Sequence, residues 1–107
     1  MCIRDRFREE VFGPVLAITP FADLDEAVTL ANGTDYGLVA GVWTTNITTA
    51  QRMIRDVVSG QVFVNTYGAS GGVELPFGGF RQSGYGREKG AEGLRGFAQL
   101  KTAVIAS

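Results

Sequence analysis

The sequence of 107 residues contains no histidine and a single cysteine, Cys2. One thiol cannot form a disulfide within the chain, and the usual ligands of a zinc site are missing. The absence of histidine also excludes a serine or cysteine nucleophile that is activated by an imidazole within this chain. We therefore expect neither a metal site nor a histidine-activated nucleophile here.

An excess of charge of one sign and long apolar runs are also missing. The chain has 10 basic and 11 acidic residues and a formal net charge of -1, which gives no electrostatic basis for binding nucleic acid or an anionic membrane. No apolar run approaches the ~20 residues needed to cross a bilayer. The first six residues lack the apolar core of a secretion signal, so we expect a cytoplasmic protein.

The sequence does contain short apolar runs that alternate with helical patterns. Hydrophobic residues make up 45% of the chain, enough to form a core. β-Branched and aromatic runs predict strands at residues 15–21, 38–43, 62–64 and 99–106. Strands that alternate with helices predict an α/β fold with right-handed βαβ crossovers and a parallel sheet.

Two helices are predicted between the first three strands. Asp23 should cap the first helix, with Glu26 completing a capping box, and Asn32-Gly33 should end it in a left-handed conformation. Asn46 should cap the second helix, which Gly60 ends. The buried faces are expected to contain Leu24, Ala27, Val28 and Ala31 in the first helix, and Ile47, Ala50, Ile54, Val57 and Val58 in the second.

The region from Thr66 to Gly86 is dominated by glycine, which accounts for seven of its 21 residues. Gly84, Gly86 and Gly90 have a spacing similar to that of a dinucleotide fingerprint, but one residue too long, and no second βαβ unit follows. We therefore expect a tightly folded loop whose glycines adopt positive φ. A short helix is predicted within residues 87–94.

Two motifs admit both a functional and a purely structural interpretation. In Glu9-Glu10-Val11-Phe12-Gly13-Pro14, an extended backbone would point a carboxylate and an aromatic ring the same way. Such a pair could bind a ribose diol and a flat heterocycle, or could simply be solvated. The Leu75–Phe80 corner could be a loop anchored by two buried phenylalanines or an aromatic wall for an apolar ligand.

Five segments, taken in order, resemble the C-terminal part of the aldehyde dehydrogenase superfamily. They are Glu9-Glu10-Val11-Phe12-Gly13-Pro14-Val15, Ala31-Asn32-Gly33-Thr34-Asp35-Tyr36-Gly37-Leu38, Gly60-Gln61-Val62-Phe63-Val64-Asn65, Pro76-Phe77-Gly78-Gly79-Phe80-Arg81-Gln82-Ser83-Gly84-Tyr85-Gly86-Arg87-Glu88 and Leu100-Lys101-Thr102. The resemblance implies a cofactor, NAD or NADP, whose nicotinamide-side ribose binds Glu10 and whose nicotinamide lies near Phe12. It also implies that Asn65 and Phe77 lie at the substrate tunnel, and that the loop 67–75 shapes aldehyde choice.

The same resemblance implies an oxidoreductase in which a cysteine thiolate attacks the aldehyde, hydride passes to the nicotinamide and water hydrolyses the thioester. The catalytic cysteine and the general-base glutamate precede this region in the family, and Cys2 lies too close to Glu10 to replace the former. The chain alone is therefore expected to be inactive. The sequence decides neither the aldehyde, nor NAD against NADP, nor the size of the assembly.

The predicted organisation has three parts. Residues 1–7 are expected to be a non-native leader, residues 8–97 part of the catalytic domain, and residues 98–107 an oligomerisation strand that joins subunits of a homo-oligomer. Two other interpretations remain open. One is a stand-alone oligomerisation or interaction module, and the other is an independent nucleotide-binding domain, which the missing fingerprint disfavours.

Overall fold

The fold is α/β, and the computed structural model describes residues 7–68 and 72–106. In chain order the elements are α1 (Leu24–Ala31), β1 (Tyr36–Gly37), β2 (Val39–Val42), α2 (Ile47–Asp56), β3 (Gln61–Val64), β4 (Phe80–Arg81) and α3 (Gly90–Arg95).

Strands β2 and β3 pair in parallel and α2 connects them, so the three elements form a βαβ unit. Val39 lies opposite Gln61, and Val42 lies opposite Val64. These are the strands predicted at 38–43 and 62–64. A second sheet, which the sequence did not predict, is the antiparallel pair of β1 and β4. This second sheet holds the glycine-rich region next to the N-terminal end of β2.

The N-terminus of α1 has the predicted capping box. The Asp23 carboxylate accepts a hydrogen bond from the Glu26 amide at 2.9 Å, and the Glu26 carboxylate accepts one from the Ala22 amide at 2.7 Å. The predicted left-handed ending is wrong. Asn32 is right-handed, with φ -89°, and Gly33 is not among the residues of positive φ. The Asn32 amide continues the helical hydrogen bonding by donating to the Val28 carbonyl, so no left-handed residue is needed.

Helix α2 begins as predicted, because the Asn46 side chain accepts hydrogen bonds from the Thr48 and Thr49 amides at 2.9 and 3.1 Å. Its predicted buried face is only partly buried. Ala50 is buried, but Ile47 and Ile54 are 70% and 52% exposed. The reason is that, in the part of the chain that the structure describes, the face carrying these isoleucines remains uncovered.

The strands predicted at 15–21 and 99–106 are not confirmed, because neither segment forms a β-ladder within the described residues. A strand needs a neighbour for its N–H and C=O groups, and neither segment has one within residues 7–68 and 72–106. Their side chains are strongly exposed, including Ile18 at 83% and Leu100 at 105%. The helix predicted within 87–94 starts later, at Gly90, because Lys89 has a positive φ of 62°.

Extended segments and a small core give the molecule an open shape. The Cα radius of gyration is 18.3 Å, compared with about 13 Å for a compact domain of 100 residues. Ala50 and Val57 are the buried hydrophobic residues among those described. In the described ranges, no helix has the length and apolar character required to cross a membrane.

Candidate functional site

Glu10 and Phe12 lie along one open groove of about 650 Å³, which Thr34, Tyr36 and Leu38 also line. Both side chains are exposed, and the Phe12 ring is 90% exposed. The extended backbone predicted for this motif is wrong at Phe12, which is left-handed with φ 52°. A tight turn centred on Pro14 follows, in which the Val15 amide donates to the Gly13 carbonyl at 2.7 Å. The groove therefore contains both predicted cofactor-binding residues, although the backbone at Phe12 is not extended.

Hydrogen bonds from the glycine-rich loop hold one wall of this groove. The Ser83 hydroxyl accepts a hydrogen bond from the Gly37 amide at 3.0 Å. The Arg81 guanidinium donates to the Asn32 and Thr34 carbonyls at 2.8 and 2.6 Å. These bonds link β4 to the segment between α1 and β1. The sequence analysis missed Arg81, although an arginine among glycines is a signal that nearby carbonyls need donors.

Phe77 lies in a second groove of about 430 Å³, which shares Leu38 and Ser83 with the first. The backbone groups of Phe77 and Glu88 exchange two hydrogen bonds, at 2.8 and 2.7 Å. The Lys89 ammonium lies 5.6 Å from the centre of the Phe77 ring. Phe77 is half-buried and therefore not a deeply buried anchor. The structure brings Phe77 next to the groove that contains Glu10 and Phe12.

The glycine-rich loop has the special backbone expected of it. Gly84, Gly86 and Gly90 have φ of 102°, 85° and 56°, which confirms the predicted positive values. The Arg87 guanidinium holds the loop from inside, because it donates to the Gly79 carbonyl at 3.0 Å and to the Gly86 carbonyl at 2.6 Å. It also lies 5.0 Å from the centre of the Phe80 ring. Arg87 was a second arginine that the sequence analysis did not single out.

Asn65, the remaining predicted site residue, lies apart at the carboxyl end of β3 and lines neither groove. Its side-chain oxygen accepts a hydrogen bond from the Thr44 amide at 2.9 Å. Its side-chain nitrogen donates to the Thr44 carbonyl, also at 2.9 Å. Both polar atoms of the Asn65 side chain are therefore bonded to the backbone of Thr44, just after the end of β2.

The charged side chains with shifted pKa lie on the helices, away from these grooves. The Arg55 guanidinium donates to the Asp56 carboxylate at 2.7 Å and, together with Arg52, lowers the pKa of that carboxyl. Arg52 also pairs with Asp25, and the hydrogen bonds to Asp25 and Asp56 raise the pKa of the guanidinium. Across residues 7–68 and 72–106, no three histidine, cysteine or acidic side chains are grouped to hold a metal.

Another contact that sequence reasoning missed joins the two long helices. The Asn32 side chain donates to the Asp56 carbonyl at 2.8 Å and accepts from the Val58 amide at 2.8 Å. The signal was an asparagine after a helix, which we interpreted only as a helix stop. This amide sets the distance between the ends of α1 and α2, and thus the start of the segment that carries Thr34 and Tyr36.

Comparison with known proteins places residues 4–103 in one family. Residues 4–103 match the profile of the aldehyde dehydrogenase family. Succinate-semialdehyde dehydrogenase [NADP(+)] 1 of Mycobacterium bovis is 50% identical over 100 residues, which cover 94% of this chain and 22% of the relative. The chain thus spans about a fifth of the length of the curated relatives it matches.

Solved structures give the same result. A candidate aldehyde dehydrogenase from Burkholderia cenocepacia superposes with a TM-score of 0.86 at 60% identity, over 94% of this chain and 21% of that one. An indole-3-acetaldehyde dehydrogenase from P. syringae, in complex with NAD+ and IAA, superposes with a TM-score of 0.84 at 45% identity, over 88% and 19%. The sequence match and the shared fold together show that this chain belongs to the aldehyde dehydrogenase family.

Proposed function

We propose that this chain supplies the nicotinamide-ribose clamp and part of the aldehyde tunnel of an NAD(P)-dependent enzyme that oxidises an aldehyde to a carboxylic acid. The observation that carries the proposal is the pair of adjoining grooves, one with Glu10 and Phe12 and the other with Phe77, which meet at Leu38 and Ser83. The names of relatives, which include NADP+- and NAD+-dependent aldehyde dehydrogenases, support it.

The residues of the first groove fit a nicotinamide nucleotide. The exposed Glu10 carboxylate can accept two hydrogen bonds from a vicinal diol, as a ribose requires. The exposed Phe12 ring offers an apolar face to a flat heterocycle. A volume of about 650 Å³ lies within the usual range of ligand sites. When bound, NAD(P)+ supplies the hydride acceptor.

The role of this chain's residues is therefore to bind and orient. Glu10 holds the ribose, which limits the positions open to the attached ring. Phe77 forms a wall of the tunnel along which the aldehyde approaches. The thiolate nucleophile and the general base come from a part of the enzyme outside this chain, and Cys2 has no catalytic role. We place residues 8–97 in the C-terminal part of the catalytic domain.

A chimaeric dehydrogenase tests the proposal, with this chain replacing the 100 matching residues of the Mycobacterium bovis relative. It should oxidise succinate semialdehyde. Glu10→Gln should slow hydride transfer in a single turnover by about 10- to 100-fold, because it removes charge-assisted bonds to the ribose. Glu9→Gln, the matched control, should stay within about twofold. Equal rates in both variants would reject the ribose clamp, and a folded but inactive chimaera would reject the function.

The isolated chain provides a second test. It should form no NADH or NADPH with any aldehyde, because it contributes neither the nucleophile nor the base. Turnover above background that persists in Cys2→Ala would contradict the division of roles proposed here.

Residues 98–107 support a role in assembly. Leu100, Val104 and Ile105 are 105%, 87% and 95% exposed, although each is strongly apolar. We infer that this segment is the oligomerisation strand and pairs across a subunit boundary in a homo-oligomer, where Lys101 limits indiscriminate pairing. Deleting it from the chimaera should give smaller assemblies or aggregates in size-exclusion chromatography. An unchanged size would reject this role, whereas a stable oligomer of the chain alone would favour the interaction-module hypothesis.

A further inference from the structure

The end of the parallel ladder depends on the side chain of Asn65. Its backbone amide donates to the Val42 carbonyl at 2.8 Å, which is an ordinary bond between β2 and β3. Its side-chain oxygen and nitrogen then bond the amide and the carbonyl of Thr44, each at 2.9 Å. The side-chain amide thus takes the place of a peptide group and continues the ladder where the main chain has already turned away.

The turn itself also depends on this residue. Asn65 is left-handed, with φ 55°, a conformation that asparagine tolerates better than most residues other than glycine. Glycine would permit the same backbone but could not bond Thr44, and aspartate would offer an acceptor without a donor. Asparagine meets both requirements, which explains why this side chain stands at this position on physical grounds alone.

The turn at Asn65 sets the position of Tyr67, which follows two residues later. Its ring packs edge-on against Phe63, with ring centres 6.4 Å apart and an angle of 65° between the planes. A side chain added at Gly41 would come within 3.6 Å of the Tyr67 ring, so the ring lies over β2 as well. The Tyr67 residue is nevertheless 71% exposed. It therefore presents most of its ring at the carboxyl ends of two parallel strands, where α/β sheets bind ligands.

We propose that Asn65 is a positioning residue that fixes Tyr67 at this edge, and that Tyr67, not Asn65, meets the aldehyde. The assignment of Tyr67 rests on the proposed function, since it requires that the aldehyde tunnel, of which Phe77 forms one wall, extends to this edge. The assignment of Asn65 does not, because its bonds to Thr44 can be tested without catalysis. Asn65 contributes to aldehyde selection only through the ring it holds in place.

Hydrogen exchange in the chimaera tests the first half. Asn65→Gly should accelerate exchange of the Thr44 amide by at least about tenfold, because it removes the acceptor and leaves the turn allowed. Asn65→Asp should retain most of the protection, because its carboxylate still accepts from Thr44. If Asn65 instead points at the aldehyde, exchange at Thr44 will not respond to either variant, and that result would overturn the assignment.

A double-mutant cycle with Tyr67→Ala tests the second half. Asn65→Gly should lower kcat/KM for succinate semialdehyde about five- to tenfold when Tyr67 is present. In the Tyr67→Ala background the same change should cost less than about twofold, because the ring it positions is gone. Multiplicative losses would show that Asn65 acts directly and would refute the proposal. A folded chimaera without activity would count against the proposed function alone, since the exchange result for Asn65 would stand.

Discussion

The start of β3 approaches the turn at Gly78 so closely that Gly60 cannot carry a side chain. A Cβ atom at Gly60 would lie 1.6 Å from the Gly78 carbonyl oxygen and 2.8 Å from its carbon. Both are backbone atoms, so no rotamer change can relieve the contact. For Gly60→Ala, the separation of the Cβ atom and the oxygen must grow from 1.6 Å to at least 3.0 Å. The strand and the loop must therefore move apart.

The bonds around this contact set the size of the effect. The Gly60 amide donates to the Gly37 carbonyl at 3.0 Å, and the Gln61 side chain donates to the Pro76 carbonyl at 3.0 Å. Separation weakens both, at about 0.5–1.5 kcal/mol each. Overpacking adds about 1–3 kcal/mol. We therefore expect Gly60→Ala to lower the free energy of unfolding by about 2–6 kcal/mol.

Urea denaturation of the chimaera, combined with hydrogen exchange at Gln61, measures this loss. Gly13→Ala is the matched control, because a Cβ atom there meets nothing within 4 Å and Gly13 has no positive φ. It should leave stability unchanged or raise it by up to about 1 kcal/mol. If Gly60→Ala and Gly13→Ala unfold at the same urea concentration, the close approach does not exist in the protein and the reasoning fails.

Three further predictions concern other contacts. Asn32→Ala should lower the free energy of unfolding by about 1–3 kcal/mol in urea titrations, because the Asp56 carbonyl and the Val58 amide lose their partner; no loss would mean that water replaces it. The pKa of Asp56 lies below the usual 3.8, chiefly through its hydrogen bond from Arg55. The ionised Asp56 carboxylate therefore stabilises the folded protein above pH 3.8, and this stabilisation is lost as the pH falls through the lowered pKa. Asp56→Asn should thus lose less stability on acidification than the unchanged protein does. Identical plots of stability against pH for the two proteins would contradict this. Phe77→Ala should shift kcat/KM toward bulkier aldehydes with less than about 1 kcal/mol lost from folding, since its ring is only half-buried; a large loss of stability without a change in preference would assign Phe77 to the core.

The parts of the fold that the sequence predicted well are the local ones. The caps at Asp23 and Asn46 each form within three residues of the capping side chain, so the signal and its partner lie in one short window. The antiparallel pair of β1 and β4 is different. Each strand has two residues, too few for a periodic pattern, and Gly37 pairs with Phe80 across a long stretch of chain. A Cβ atom at Gly37 would lie 2.5 Å from the Val58 carbonyl oxygen, so the pairing also needs close approaches of the kind seen at Gly60, which composition does not reveal.

The site divides in the same way. Chemistry that belongs to one side chain, such as an exposed carboxylate at Glu10 and an exposed ring at Phe12, could be proposed from residue type and spacing. The backbone conformation at this motif could not be predicted in the same way, because Phe12 is left-handed and the motif was expected to be extended. The family resemblance implied that Asn65 lies at the substrate tunnel. In the structure, the oxygen and the nitrogen of its side chain both hydrogen-bond to the Thr44 backbone. A residue type indicates which bonds are possible, and only the fold decides which partner receives them.

The two segments predicted as strands but found without ladders illustrate this limit most clearly. Residues 15–21 are rich in β-branched and aromatic residues and residues 99–106 alternate as strands do. Their apolar side chains are among the most exposed described, with Leu16 at 82% and Ile105 at 95%. Alternation is a property of side chains, whereas a strand is a property of paired backbones. The N–H and C=O groups of an extended, unpaired segment must hydrogen-bond either to water or to another strand. Exposed apolar side chains on such a segment favour pairing with another strand. Residues 15–21 and 99–106 are therefore segments in which a predicted strand has no pairing partner among the described residues.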